Sequence, residues 1–275
     1  TKSNVDINGG NYTLGKNSIG FILKDLNNTQ GYFNGASGTI NVNGKGTALY
    51  YMDGATLSTS VPASSAGKFN DSLTVNDAGI TVSPTDSVAY TYIYAKNSNL
   101  TYDKASPAGI TKDKVIFING TDTKTTPVTK ITLGTSSAIN MAGNNSLAVY
   151  LKKGISATNN GSIDLSGDKA VALYGEAGGA LVNNNIIKVG TNGVGIYNKG
   201  ATTGENGANG VITLNGDYGI GMRSENATGN IENKGKIESS KLRAVGMSAS
   251  NGSNAVTNSR TIELSGQESI GLHTD

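Results

Sequence analysis

The sequence predicts an all-β chain wound as a right-handed parallel β-helix of about ten coils of roughly 25 residues, and three observations lead there. One is a four-residue pattern, small, apolar, small, apolar, that returns nine times. Another is a second alternation inside each repeat, an Ile followed two places later by an apolar residue and preceded four places earlier by Asn. The third is punctuation, with turns rich in Gly and Asn and no helical period. Alternation with a period of two marks β-strand, and strands recurring at a fixed long period mark a solenoid.

The clearest tetrads are Ala170-Val171-Ala172-Leu173, Gly193-Val194-Gly195-Ile196, Gly219-Ile220-Gly221-Met222, Ala244-Val245-Gly246-Met247 and Ser269-Ile270-Gly271-Leu272, with starts 23, 26, 25 and 25 residues apart. Earlier relatives are Ser18-Ile19-Gly20-Phe21, Gly46-Thr47-Ala48-Leu49, Ser87-Val88-Ala89-Tyr90 and Ser146-Leu147-Ala148-Val149. The second strand of a coil is read at Ile163/Leu165, Ile187/Val189, Ile212/Leu214 and Ile262/Leu264, with Ile237 followed by Ser239. Four places before these Ile residues stand Asn159, Asn183, Ala208, Asn233 and Asn258. Asn tolerates left-handed turns, and stacked amides bond from one layer to the next, so Asn159, Asn183, Asn233 and Asn258 are expected to form a structural ladder. A third short strand precedes that Asn, as in Gly229-Asn230-Ile231-Glu232 and Ala255-Val256-Thr257.

The repeat is regular over 131–275, whereas the tetrads between 46 and 146 lie 41 and then 59 residues apart. Insertions are therefore expected at about 53–70 and 96–129, with one degenerate coil around Val115-Ile116-Phe117 inside the longer interval. All of 1–275 is read as one domain. Its last clear strand ends three residues before Asp275, which leaves no room for the polar cap an end coil needs, so the chain is expected to be a segment of a longer one.

Composition narrows the function. A formal charge of +2 without any Lys/Arg run argues against nucleic acid as a partner. No stretch has the length of a membrane-spanning helix, and the start lacks a signal-peptide pattern. Apolar content of 36% is low for a globular domain but suits a solenoid, which buries one residue in two along each strand. With no Cys and a single His273, neither a metal site nor another cofactor site is expected.

Catalytic constellations are sought among the carboxylates, because glycosidase chemistry needs two of them facing one sugar. The nearest are Asp164 with Asp168, and Glu238 with Glu263 on adjacent coils, both read as solvated surface charge. No catalytic residue is assigned. The aromatic residues are more suggestive, since Tyr150, Tyr174 and Tyr197 each follow a tetrad directly in three successive coils, and Tyr50 holds that place earlier. If the apolar tetrad members point inward, these tyrosines border an outward floor of Ala148, Ala172 and Gly195. Such a strip is either a bed for sugars or a protein edge, or an aromatic stack that braces the coils. Tyr150, Tyr174 and Tyr197, with Tyr102 in the irregular region, are the ligand-binding candidates, while Tyr90, Tyr92 and Tyr94 are read as local core. Loops that stand off a rigid scaffold are the usual place for recognition, which makes 53–70 and 96–129 the first partner surfaces to test.

The tetrads followed by Tyr or Asn, the segments Thr158-Asn159-Asn160-Gly161-Ser162-Ile163-Asp164-Leu165 and Asn233-Lys234-Gly235-Lys236-Ile237, and the Asn-, Lys- and Ile-rich usage resemble passenger domains of the very large autotransporter adhesins of fusobacteria. The resemblance spans 130–275 well and 15–50 moderately. It implies a type V secreted protein, with a signal peptide before this segment and an outer-membrane β-barrel after it. It also implies a place at the cell surface and attachment to host cells, through receptors or glycans, or to other bacteria. The resulting expectation is a non-enzymatic adhesin segment. A polysaccharide-processing β-helix enzyme and a purely structural stalk are the alternatives.

Overall fold

The computed structural model describes all residues except 1–2, 25–30, 60–66, 83–87, 109, 125–128, 201 and 253–254. It bears out the β-solenoid: three parallel sheets of twelve, ten and six strands stack about ten turns, with no helix among the described residues. A regular coil places Val171–Glu176 in the ten-stranded sheet, Ala180–Asn183 in the twelve-stranded sheet and Ile186–Val189 in the six-stranded sheet. The next coil repeats this in register, so that Leu173 lies over Ile196, Asn183 over Asn206 and Ile187 over Ile212. Like therefore stacks on like along the axis, at about 4.8 Å per coil. One apolar core runs through the stack from Ile7 to Met247.

Alternation breaks where the chain enters the ten-stranded sheet. Ala172 and Leu173 are consecutive and both fully buried, after which Tyr174 turns outward and Gly175 inward. The corner thus points two successive residues into the core, and the small third member of each tetrad faces inward. Ala148 and Ala172 are 0% exposed, and a Cβ on Gly195 would lie 2.8 Å from Ile212 Cγ2 and 2.6 Å from Gly221 O. The outward floor of Ala148, Ala172 and Gly195 expected from strict alternation does not exist; all three face the core, and at Gly195 the six-stranded sheet presses Ile212 against the position.

Register also corrects two tetrads. Ala48 pairs with Thr91, Thr91 with Ile116 and Ile116 with Leu147, so the structural tetrads begin at Thr47 and Tyr90 rather than Gly46 and Ser87. Ser87 itself lies outside the described residues. The degenerate coil is present as Val115-Ile116-Phe117-Ile118, all buried. At the inward corner position this half carries Leu49, Tyr92 and Phe117 in place of Ala or Gly. The reason is that the six-stranded sheet begins only at Ala138–Met141. Below it aromatic rings fill the interior, among them Tyr92 stacked on Phe117 at 4.8 Å and Tyr50 edge-on to Phe69 at 5.0 Å.

The insertions are narrower than their sequence boundaries. Within 53–70, Thr56–Ser58 and Gly67–Asp71 are adjacent parallel strands of the twelve-stranded sheet, so this coil contributes two rungs where others contribute one. Within 96–129, Asn99–Tyr102 and Ile116–Thr121 are ordinary coil strands, leaving an excursion between them, 103–115, whose described part bridges back to the next coil at Ala105 and Ala138, and a connection after Thr121. Pro62 and Pro127 lie outside the described residues.

An asparagine ladder closes the corner between the twelve- and six-stranded sheets. Asn159 Nδ2 donates to Asn183 Oδ1 at 2.8 Å, Asn183 to Asn206 at 2.8 Å, Asn206 to Asn233 at 2.8 Å and Asn233 to Asn258 at 2.7 Å. The middle rung is Asn206, not Ala208. Its turn to Val211 is longer, and counting back four residues from Ile212 stops two short of the amide.

Candidate functional site

Two places on the solenoid gather chemistry-bearing side chains. The first is the outward face of the ten-stranded sheet. Register aligns Tyr51, Tyr94, Asn119, Tyr150, Tyr174, Tyr197 and Arg223 in one row along the axis. Tyr50, expected in this row, lies one place inward and is 0% exposed. Tyr174 and Tyr197 stack at 4.7 Å with 7° between planes, and Tyr150 leans on Tyr174 at 5.2 Å. The ends of this trio are covered as well, Tyr150 by Lys152 at 5.2 Å and Tyr197 by Arg223 at 5.3 Å. Tyr51 and Tyr94 form a separate stack at 5.2 Å.

The hydroxyls are also engaged. Tyr174 donates to Glu176 at 3.0 Å, and Tyr197 donates to Glu225, which Arg223 also holds at 3.1 Å. Burial, reinforced by these carboxylates, raises the phenols of Tyr150 and Tyr174 and pushes Tyr197 up to about 12. Glu225 is lowered, first by the Tyr197 hydroxyl and then by Arg223. A sugar bed needs an open ring face. Here each face of the trio meets another ring or a cation, so Tyr150, Tyr174 and Tyr197 brace the coils and offer only edges to a partner.

The remaining aromatic candidates divide by burial. Tyr102 is 0% exposed, packs on Phe69 and Phe117, and donates its hydroxyl to Ala105 O at 2.9 Å, so it is a core residue and not a ligand contact. Tyr90 and Tyr92 are core, whereas Tyr94 faces outward.

Glu238 and Glu263 do face each other across adjacent coils, with Lys236 Nζ between them at 2.6 Å and 3.0 Å. That ammonium lowers Glu238, the reverse of what a general acid requires. Asp168 Oδ1 accepts from Asn192 Nδ2 at 2.7 Å, and Asp164 lies in register between Asn140 and Lys188 on a strand. His273 Nε2 lies 3.2 Å from Asp275. Among the described residues no three His, Cys, Asp or Glu side chains are grouped as a metal would require.

The second place is a cleft of about 310 Å³ where the 103–115 excursion passes the extra rung. Asp71, Ser72, Thr74, Lys104, Pro107 and Ala108 line it. Asp71, at the end of Gly67–Asp71, is 5% exposed and accepts from the Tyr92 hydroxyl. Burial raises its carboxyl above the ordinary range, opposed by the Tyr92 hydroxyl and by Lys104, whose ammonium is bonded to the Asp71 carbonyl. The cleft sets the Lys104 ammonium of the excursion beside the Ser72 and Thr74 hydroxyls of the rung side, with the Asp71 carboxyl buried against Tyr92. Asp71 and Lys104 escaped the sequence reading because the duplicated rung that brings them together has no periodic signature. The only signal was the irregular spacing of the tetrads.

No helix among the described residues is long and apolar enough to cross a membrane. Comparison of the chain with known protein families, with curated proteins and with solved structures finds no match.

Proposed function

We propose that the chain is a non-enzymatic segment of a bacterial cell-surface adhesin of the autotransporter type, a rigid solenoid that presents the Asp71/Lys104 cleft to a host-cell receptor or glycan. The observation that carries this reading is the cleft itself. Its volume of about 310 Å³ suits one or two sugar rings or a single protein side-chain anchor, and ligand sites of this size commonly combine a few fixed polar groups with an apolar wall. The support beneath it is stiff, since Tyr92, Phe117, Tyr102 and Phe69 pack as a continuous aromatic core behind Asp71. The adhesin context rests on the repeat's resemblance to fusobacterial passengers, and includes an outer-membrane location and other bacteria as further partners. Glu238 and Glu263, tied to Lys236, weigh against the polysaccharide-processing alternative.

A stalk role is the second reading, favoured by the fully engaged tyrosine column of the regular half. The test is binding of the purified chain to epithelial and immune cells and to a glycan array, beside a version with 104–108 shortened. Binding lost with the shortened excursion supports the recognition role. Absence of binding by the full chain makes it a stalk.

A further inference from the structure

We infer that the outward face of the ten-stranded sheet is a self-association surface that pairs two copies of this chain antiparallel. This stands independently of the adhesin reading and uses a face of the solenoid that the cleft does not occupy.

Two adjacent rows of side chains run in register along the stack. One row reads Tyr150, Tyr174, Tyr197, Arg223 along the stack, and the row two residues further along each strand reads Lys152, Glu176, Lys199, Glu225. Lys152 and Lys199 are exposed and the two glutamates are half-buried. The charges alternate from coil to coil, so the row read backwards is its own electrostatic complement. A two-fold axis in the interface, parallel to the strands and midway between Val171–Glu176 and Val194–Lys199, exploits all four charges. That operation reverses the stacking direction and keeps each row opposite itself.

Under it Lys152 meets Glu225 and Glu176 meets Lys199 of the second copy, four opposite-charge pairs in all by symmetry. In the aromatic row the ring edges of Tyr174 and Tyr197 meet, and the edge of Tyr150 meets Arg223. One coil outward, Asn119 meets Ser248 and Thr121 meets Ser250, all uncharged. Moving the axis by half a coil sets Lys199 against Lys152 or against itself, and Glu176 against itself or against Glu225, which is repulsive; moving it by a whole coil keeps Lys152 against Glu176 or Lys199 against Glu225 but sets Lys199 against Thr121 or Glu176 against Ser250. The rows therefore disfavour the half-coil shifts, and the axis between Val171–Glu176 and Val194–Lys199 is the one that pairs these four charges wholly among themselves.

The size is adequate. Eight strands at about 4.8 Å spacing and about six residues per strand make a face of about 34 by 20 Å, or roughly 650 Å² per partner, near the ~800 Å² of a standard interface. With its charges at the rim, such a pair is expected to be reversible and sensitive to salt.

The experiment is sedimentation of the full chain over a concentration series. A monomer–dimer equilibrium that weakens as sodium chloride rises is expected. Lys199→Glu is expected to weaken dimerisation at least about tenfold, since each close pair turned from attractive to repulsive changes the energy by more than ~1.4 kcal/mol. The double variant Glu176→Lys/Lys199→Glu restores opposite charges across the axis and is expected to return the dimer to within about threefold of the parent. Should Lys199→Glu fold poorly by circular dichroism, Lys152→Glu tests the outer pair in the same way. A parent chain that stays monomeric at every concentration overturns the inference, as does a folded double variant that remains as weak as the single one.

Discussion

Replacing Asn206 by Ala removes the rung at the middle of the asparagine ladder, and the cost follows from its contacts. The amide nitrogen donates to Asn233 Oδ1 at 2.8 Å and lies 3.2 Å from the carbonyls of Gly210 and Lys236, while Oδ1 accepts from Asn183 at 2.8 Å. Two N–H groups cannot serve three acceptors fully, so about three bonds are lost, at a net ~1 kcal/mol each. Asn183 keeps its bond to Asn185 O, and Asn233 Oδ1 keeps Gly235 N, so neither neighbour is left wholly unpaired. A loss of about 3 kcal/mol is expected, read as a lower urea midpoint at unchanged m-value. Asn206→Asp should be worse, because it sets a carboxylate against Asn233 Oδ1 in a position that is 0% exposed. Asn184→Ala, which removes one exposed bond to Asn160 at 2.9 Å, is the control and should stay within ~0.5 kcal/mol. If Asn206→Ala matches that control, the ladder does not hold the corner and the reasoning fails.

Gly221→Ala places a Cβ 2.5 Å from Gly246 O and 2.7 Å from Ile237 Cγ2, and should cost ~1–3 kcal/mol by thermal unfolding; no loss would mean the corner is looser than described. Tyr174→Ser removes two ring contacts, with Tyr150 at 5.2 Å and Tyr197 at 4.7 Å, and should cost about 2 kcal/mol. Asp71 is raised in the folded chain by burial, so the folded state holds its proton more tightly than the unfolded state. Stability attributable to it therefore falls as pH rises from an unfolded carboxyl value of about 3.9 towards the raised folded value, and stays lower above it. Urea midpoints of Asp71→Asn, compared with the parent across that range, should lack this downward slope; parallel curves would contradict it.

The regular half was legible because its turns keep nearly constant length, so a strand read at Ile187 predicts one at Ile212 and another at Ile237. Four of the five ladder residues were found by that constancy, and Asn206 was missed where the turn lengthens. Strict alternation misplaced Ala172 and Gly195, since nothing in a period of two announces a corner where two neighbours both point inward. In the other half the six-stranded sheet has no strand before Ala138–Met141 among the described residues, only the bridge of Ala105 to Ala138, and bulk at Leu49, Tyr92 and Phe117 replaces the small residues that carry the repeat's signature. The coils there persist although their pattern does not. Tyr102 was misjudged for a related reason: a tyrosine in an irregular segment is taken for a surface residue until the long-range packing on Phe69 and Phe117 is known. The cleft needs the duplicated rung and the 103–115 excursion together, and each is a departure from the repeat that made the rest readable.

Binding by a chain whose cleft has been filled tests the recognition role most directly. Ala108 is exposed on the cleft wall, so Ala108→Trp adds bulk there without entering the core. The account expects the parent chain to bind cells or a glycan on the array and Ala108→Trp to lose that binding at an unchanged melting temperature. Undiminished binding by Ala108→Trp, with loss instead on replacing Tyr150, Tyr174 and Tyr197 by Ser, would place recognition on the outward sheet and contradict it.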